Sequence, residues 1–398
     1  MLNPSIHGWI DKFFVLQSKS QYQPIYTFDE FYTQTRATGF IFGHILNFNT
    51  PVAIEIKDRL QEEITKIGIL NTLYQMYRLT TKQENPNDFI NQAVDFYGIL
   101  VPKGFNPLEK VLPSTSTSRK LEKIIHDRVQ TNEDIFSKNF SHVITNALLF
   151  IDVLAFQHYL EKGTISEKYF SRIEDIVISV ISLSLKTKTG ISVHDDLLLK
   201  LFESSVRYNK FSNMIIRNLE TIDLSYLTNN LEKYYVIDLA GISLWSDEKV
   251  ENEERYFLFK LAEKLEISEE FVLKSIDFIN HFIQEHKNEI PYFKNANPVK
   301  HFYDQTTESV VVLINRNKNR LIKELSQSKE LVQLLAKSTH KELDKDEKKR
   351  MKTQLLDICK SVPSLTIFLL PGGSLLLPIL IKFIPRLLPS AFNENIDE

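Results

Sequence analysis

Glycine is scarce: eleven residues in 398 is less than half the ordinary share of about 7%. That scarcity argues against Gly-rich phosphate loops, β-hairpins and flexible linkers, all of which rely on positive φ. Proline is absent from Thr115 to Glu289, while five of the fourteen prolines fall after Val362. Cys359 is the single cysteine, which excludes an intrachain disulfide and a multi-cysteine metal site and points to a reducing compartment. There is no excess of positive charge: the net charge is −3 and the pI about 6.4, so no global field favours nucleic acid, and no specific nucleic-acid sequence is expected as a partner. The N-terminus lacks a basic segment followed by an apolar one, so the bulk of the chain is expected in the cytoplasm. Phosphate-loop, dinucleotide-binding, serine-hydrolase and His-Glu-x-x-His motifs are all missing. The ten histidines are scattered, and His281 and His286 are five apart, the wrong interval for two ligands on one helix face. With no nucleophile–base pair, the chain reads as a non-enzyme, with no catalytic residue and no cofactor.

What remains is helical periodicity. The expected fold class is all-α: soluble multi-helix bundles, then a long charged helix, then a C-terminal proline-rich membrane segment. Residues 1–113 form an N-terminal helical region. There Phe28 to Phe48, with Gly39-x-x-x-Gly43, reads as a soluble helix because it carries Asp29, Glu30 and Arg36. Thr50-Pro51 is expected to open the next helix, with Ile54, Ile56, Leu60, Ile64, Ile67 and Leu70 as its apolar stripe. The Ser/Thr run 114–118 reads as a linker, and 119–292 as a helical bundle. Within that bundle Asn146 to Leu160 should be a buried helix, Gly163 a C-terminal cap, and Ser268 the N-cap of a further helix.

Residues 293–360 read as long charged helices, one of them from about Val299 to His340. Between Asn315 and Lys360 there are 13 Lys/Arg against 7 Asp/Glu, a local charge of +6 on a weakly acidic chain. Lys348, Lys349, Arg350 and Lys352 form a basic collar just before Val362 to Ile381, twenty residues without a charge. Twenty helical residues cover about 30 Å, the thickness of the hydrocarbon layer. The run therefore reads as a membrane segment, with a hairpin bent at Pro371-Gly372-Gly373 or a surface segment as the alternatives. The collar outweighs Lys382 and Arg386 beyond the run, which places the large domain in the cytoplasm and draws the collar to anionic headgroups. Cys359, beside the run, reads as a small interface residue, with palmitoylation as the other option.

An acidic segment around Trp245 joins two helices. Its carboxylates suit helix capping and the first-turn dipole; as converging ligands, Asp247, Glu251 and Glu254 make a candidate divalent-cation site.

Two resemblances add to this reading. Asp247-x-x-Val250-Glu251-x-x-Glu254, followed by Phe259 to Glu270, is similar to the tellurite-resistance TerB-like helical domain, at about 225–290. That likeness implies a helical bundle with metal affinity in envelope-associated proteins. The second is C-terminal: Pro371, Pro378, Lys382, Pro385, Pro389, Ser390 and Phe392, after the basic helix Leu343–Arg350 and Asp357, resemble the Letm family of inner-membrane proteins over about 335–392. The bacterial Letm-related group is labelled biofilm-associated. The likeness implies a membrane segment over 361–392, cation–proton exchange and contact with the ribosome; the residues after that segment, 393–398, read as an acidic tail. Ser374 stands where that family usually has an acidic residue.

Together these readings lead to an expected membrane-anchored, cytoplasm-facing interaction or scaffold protein of the bacterial inner membrane, linked to envelope or biofilm function. Its expected partners are the lipid bilayer, a protein not identified by sequence, and a second copy of the chain. The alternative is a component of cation/proton exchange.

Overall fold

The computed structural model describes residues 2–19, 27–51, 53–57, 59–100, 116–129, 148–166, 168–187, 218–245, 252–290, 310–340, 343–362, 365, 380–381 and 383–384. All regular structure among them is helical, as the low glycine content and the periodicity predict. The described residues of Met1–Lys57, Gln61–Thr131 and Phe140–Ala296 make up one compact unit, and those of Asp58–Leu60 and Asn297–Glu398 a second.

The first unit contains α1 (Trp9–Gln17), α2 (Phe28–Ala37), α3 (Gln61–Thr81), α4 (Pro86–Leu100), α5 (Thr117–Val129), α6 (Phe150–Lys162), α7 (Tyr169–Thr187), α8 (Asn230–Leu244), α9 (Asn252–Leu265) and α10 (Glu269–His286). Two of these are central. Helix α3 packs against α2, α4, α5 and α6, and α8 against α2, α7, α9 and α10. Consequently α3 is buried on every face from Glu63 to Tyr77, and α8 from Tyr235 to Gly241. The ends follow local sequence. Thr27 and Glu30 exchange hydrogen bonds at the start of α2, and Asn229 and Glu232 do so at the start of α8. Ser268 caps α10, and Gly163, at φ 71°, closes α6 by donating to the Tyr159 carbonyl at 2.8 Å.

Several elements depart from the periodicity. The helix expected from Thr50-Pro51 starts instead at Gln61. Ile54 and Ile56, two residues apart, pack on the core from a non-helical segment. The chain before that segment is held by α3 itself, whose Asn71 and Gln75 side chains donate to the Asn49 carbonyl at 3.0 and 2.6 Å. The helix expected over Phe28 to Phe48 ends at Ala37, and a 3-10 turn, Phe40–Phe42, follows between Gly39 and Gly43, both left-handed. A side chain at Gly39 would put its Cβ 2.0 Å from the His44 carbonyl oxygen, so the turn needs glycine there for space as well as for φ. The 114–118 run does not separate one core from another. Thr117 and Ser118 lie in the first turn of α5, whose Leu121, Ile125 and Val129 join the same core as Phe89 of α4 and Phe156 of α6.

In the second unit the single long helix expected up to His340 is broken. A helical stretch at 310–316 precedes α11 (Lys318–Ser326) and α12 (Lys329–His340), and α13 (Lys345–Ser361) follows. At the break the Asn317 side-chain amide donates to the Leu313 carbonyl at 2.7 Å, an acceptor it shares with its own backbone N–H at 3.2 Å. Ser328 opens α12 by accepting from the Leu331 amide at 3.4 Å. The breaks let α11, α12 and α13 pack on one another, so that Leu321, Leu325, Leu331 and Leu335 meet Met351, Leu355 and Cys359 in one core. A straight helix would leave that stripe without a partner.

Candidate functional site

Helix α13 carries the basic collar. Its start is over-determined: Asp344 accepts from the Glu347 amide at 2.8 Å and Glu347 accepts from the Asp344 amide at 3.1 Å. The hydrogen bond from the Glu347 amide holds the Asp344 carboxyl below its usual range, and Lys337, 2.5 Å from the Glu347 carboxylate, does the same for Glu347. Met351, Leu355 and Cys359, spaced by four, form the buried face. At the C-terminal end the Arg320 guanidinium donates to the Ser361 carbonyl at 2.6 Å and takes up an acceptor the helix cannot satisfy.

The four collar residues divide by role. Arg350 turns toward α12 and reaches Glu330 at 3.3 Å, beside Gln354, which donates to the same carboxylate at 2.7 Å. Lys348 is exposed. Lys349 and Lys352 are exposed too, and with Lys345 they form a row at intervals of four and three residues along one side of the helix. No ion pair engages these three lysines among the described residues. The row spans about 10 Å of a helix that leads directly into the uncharged run.

Cys359 is fully buried, and burial pushes its thiol up to about 12. An inert core cysteine replaces the interface residue expected from the sequence, and its sulfur is not presented for acylation.

Of the uncharged run itself, Val362, Leu365, Leu380 and Ile381 lie among the described residues, and all four pack in the second core; Ile384 beyond the run does the same. Among the described residues no helix is long and apolar enough to cross a membrane. The residues expected to mark the membrane segment, Pro371, Pro378, Lys382, Pro385, Pro389, Ser390 and Phe392, lie outside the described residues, as does Ser374.

The candidate cation ligands Asp247 and Glu251 also lie outside them. Glu254 is 1% exposed in the first turn of α9 and already engaged within the protein. No group of three or more His, Cys, Asp or Glu among the described residues is placed to hold a metal ion.

Asp238, on the helix before that acidic loop, belongs to the core. It accepts from Tyr32 Oη at 2.6 Å, from Arg36 Nη1 at 3.4 Å and from the Ser275 hydroxyl, tying α8 to α2 and α10. The Arg36 guanidinium lies 4.3 Å from the Phe278 ring centre, a cation–π contact inside the protein.

Several further buried carboxylates escaped the sequence reading, and two of them, Asp152 and Glu232, gather clusters of partners. Asp152 of α6 accepts from Arg128 of α5, with Nε at 2.8 Å and a second guanidinium nitrogen on the other oxygen, and from Tyr97 of α4 at 3.0 Å. Glu232 accepts through Oε1 from His158 at 2.8 Å and Tyr169 at 2.7 Å, and through Oε2 from the Thr228 and Asn229 amides at 2.6 and 3.0 Å. Burial works to raise the Glu232 carboxyl, but the bonds from His158, the Asn229 amide and Tyr169 outweigh it and hold the group below its ordinary value. Burial, reinforced by the Glu232 charge, pushes the Tyr169 phenol well up. A lone Asp within the apolar run Leu148–Leu154 was the available signal for the Asp152 cluster. These clusters join helices through internal partners.

Residues 343–398 match the family model described as LETM1-like, RBD. The match begins one residue before the Asp344 cap, takes in all of α13 and covers the uncharged run, which bears out the Letm resemblance for that region. No curated protein and no solved structure matches the chain.

Proposed function

We propose that this chain is a membrane-anchored helical interaction protein that catalyses no reaction. Its LETM1-like C-terminal region attaches to the bilayer, and its first unit works from the cytoplasmic face of a bacterial inner membrane. The observation that carries this reading is the match over 343–398, which joins a folded basic helix to twenty uncharged residues. The row Lys345, Lys349 and Lys352 supports it, because lysines at a membrane surface contribute about 1 kcal/mol each toward anionic headgroups. The TerB-like pattern at 247–270 supports an envelope role, including the biofilm link implied by the Letm resemblance. The first unit has an interaction role, and its partner is a protein or a second copy of the chain. Fractionation of cells expressing the full chain tests the anchor. The chain is expected to stay in the membrane pellet through alkaline carbonate washing and to leave it only with detergent; full-length protein in the soluble pool refutes the anchor.

Cation/proton exchange is the second reading, favoured by the same LETM1-like match. Ser374, where an intramembrane carboxylate would be the natural cation or proton ligand, stands against it. Cation-dependent proton flux in reconstituted vesicles is its test, and absence of flux removes it.

A further inference from the structure

We infer that the second unit sits on one face of the bilayer, with both ends of its uncharged run returning to that face, seated on a layer of anionic lipid headgroups. The inference rests on the membrane reading above and specifies its topology. Val362 and Leu365 at the front of the run are fully buried in the same core as Leu380 near its end and Ile384 beyond it; Leu355 and Cys359 of α13 complete that core. A helix crossing the bilayer would separate residues 365 and 380 by about 22 Å, most of a hydrocarbon layer about 30 Å thick. Two interfaces that far apart share no side-chain core. One core holding both ends requires that they lie on the same side.

Charge agrees with the packing. Lys360 precedes the run and Lys382 and Arg386 follow it, so both flanks carry the charge that is retained on the cytoplasmic side. Pro371-Gly372-Gly373 stands at the middle of the run, at equal distance from the two flanks. The headgroup layer is the occupant that fits the surface beside this core: Lys345, Lys349 and Lys352 are exposed, aligned and free of ion pairs among the described residues. From Asn315 to Lys360 there is no Phe, Tyr or Trp, which leaves no stacking platform for the bases of a nucleic acid.

The experiment uses the full chain with Cys359→Ala as background and one new cysteine, at Thr353→Cys on α13 or Asn395→Cys beyond the run. Each is expressed in cells and labelled with a membrane-impermeant maleimide in sealed, inside-out inner-membrane vesicles, before and after detergent. Both cysteines are expected to label to the same extent with and without detergent. If one of them labels only after detergent, the run crosses the membrane, and the inference is overturned while the anchor stands. If both label only after detergent, the shared face is confirmed and its cytoplasmic placement is overturned. Carbonate extraction of the same vesicles reads the anchor separately, so its failure is distinguishable. Protease digestion of a C-terminal tag on the chain with its native Cys359 gives the same readout should the alanine background not fold. The tag is expected to be lost from sealed vesicles, and its protection overturns the inference.

Discussion

Replacing Asp152 by alanine removes the carboxylate that faces a guanidinium itself mostly buried; the Arg128 side chain is 17% exposed and Asp152 1%. Three hydrogen bonds go with it: two from Arg128 and one from Tyr97. Breaking one half of a buried pair costs roughly 3–5 kcal/mol, because the remaining charge stays in a poor solvent. The limited exposure of Arg128 lets water recover a share of this, and the expected loss is about 3 kcal/mol. With a urea m-value of about 2–3 kcal/mol per molar, the midpoint falls by roughly 1–1.5 M. Tryptophan fluorescence is the natural probe, since both tryptophans, Trp9 and Trp245, belong to the first unit. The double variant Asp152→Leu with Arg128→Met is expected to regain most of the loss, because two apolar groups of similar volume leave no charge stranded. A midpoint unchanged by Asp152→Ala, or a double variant as unstable as the sum of its single changes, would refute the account of this cluster as a charge pair that ties α4, α5 and α6 together.

Three further outcomes follow from the geometry. With its thiol pushed up to about 12, Cys359 should react with a maleimide at pH 8 about a thousandfold more slowly in the folded chain than in urea, as three pKa units imply; equal rates would place the thiol outside the core. The depressed carboxyl of Glu232 contributes stability above its unfolded value of about 4.5 that is lost as pH falls through the lower folded value. The stability difference between the wild type and Glu232→Gln should therefore be largest near neutrality and shrink toward pH 3 in urea titrations, and a difference independent of pH contradicts this. In nanodiscs of phosphatidylcholine with phosphatidylglycerol, Lys345, Lys349 and Lys352 should be acetylated more slowly than in phosphatidylcholine alone, and high salt should abolish the protection; identical rates by mass spectrometry would remove the headgroup contact.

Much of the architecture was legible because it depends on neighbours in sequence. Few glycines and apolar positions three and four apart specify helices. Reciprocal caps such as Asp344 with Glu347, and stops such as Gly163, act over a few bonds and so can be read locally. The C-terminal proline pattern was legible for a different reason, since its spacing resembles a family and the match over 343–398 follows it. Expectation and structure diverge where tertiary partners override local preference. Ile54 fits a helical stripe drawn through Leu70, yet this stretch of the chain is non-helical, and Ile54 and Ile56 pack on the core from it. Leu321 and Leu335 fit one long helix equally well, and only the chance to bury them against α13 favours breaking it.

By itself the sequence determined the helical character of the described residues, some helix ends such as those at Gly163 and Ser268, a basic helix before an uncharged run, and the LETM1-like character of that region. All of these are properties of composition, periodicity and order along the chain. Tertiary structure alone decided which charges are buried and which are presented. Asp152, Asp238 and Glu232 find partners 24 residues or more away in sequence, at separations that no periodicity encodes. Of the basic collar, Arg350 pairs with Glu330 of α12 at the surface, while Lys349 and Lys352 line up with Lys345. Cys359 moved from an expected interface into a core, because the fourth position after Leu355 on α13 faces the packed helices. A row of like residues looks uniform in sequence; an acidic partner on a neighbouring helix, within reach of some of its members only, is what gives them different chemistry.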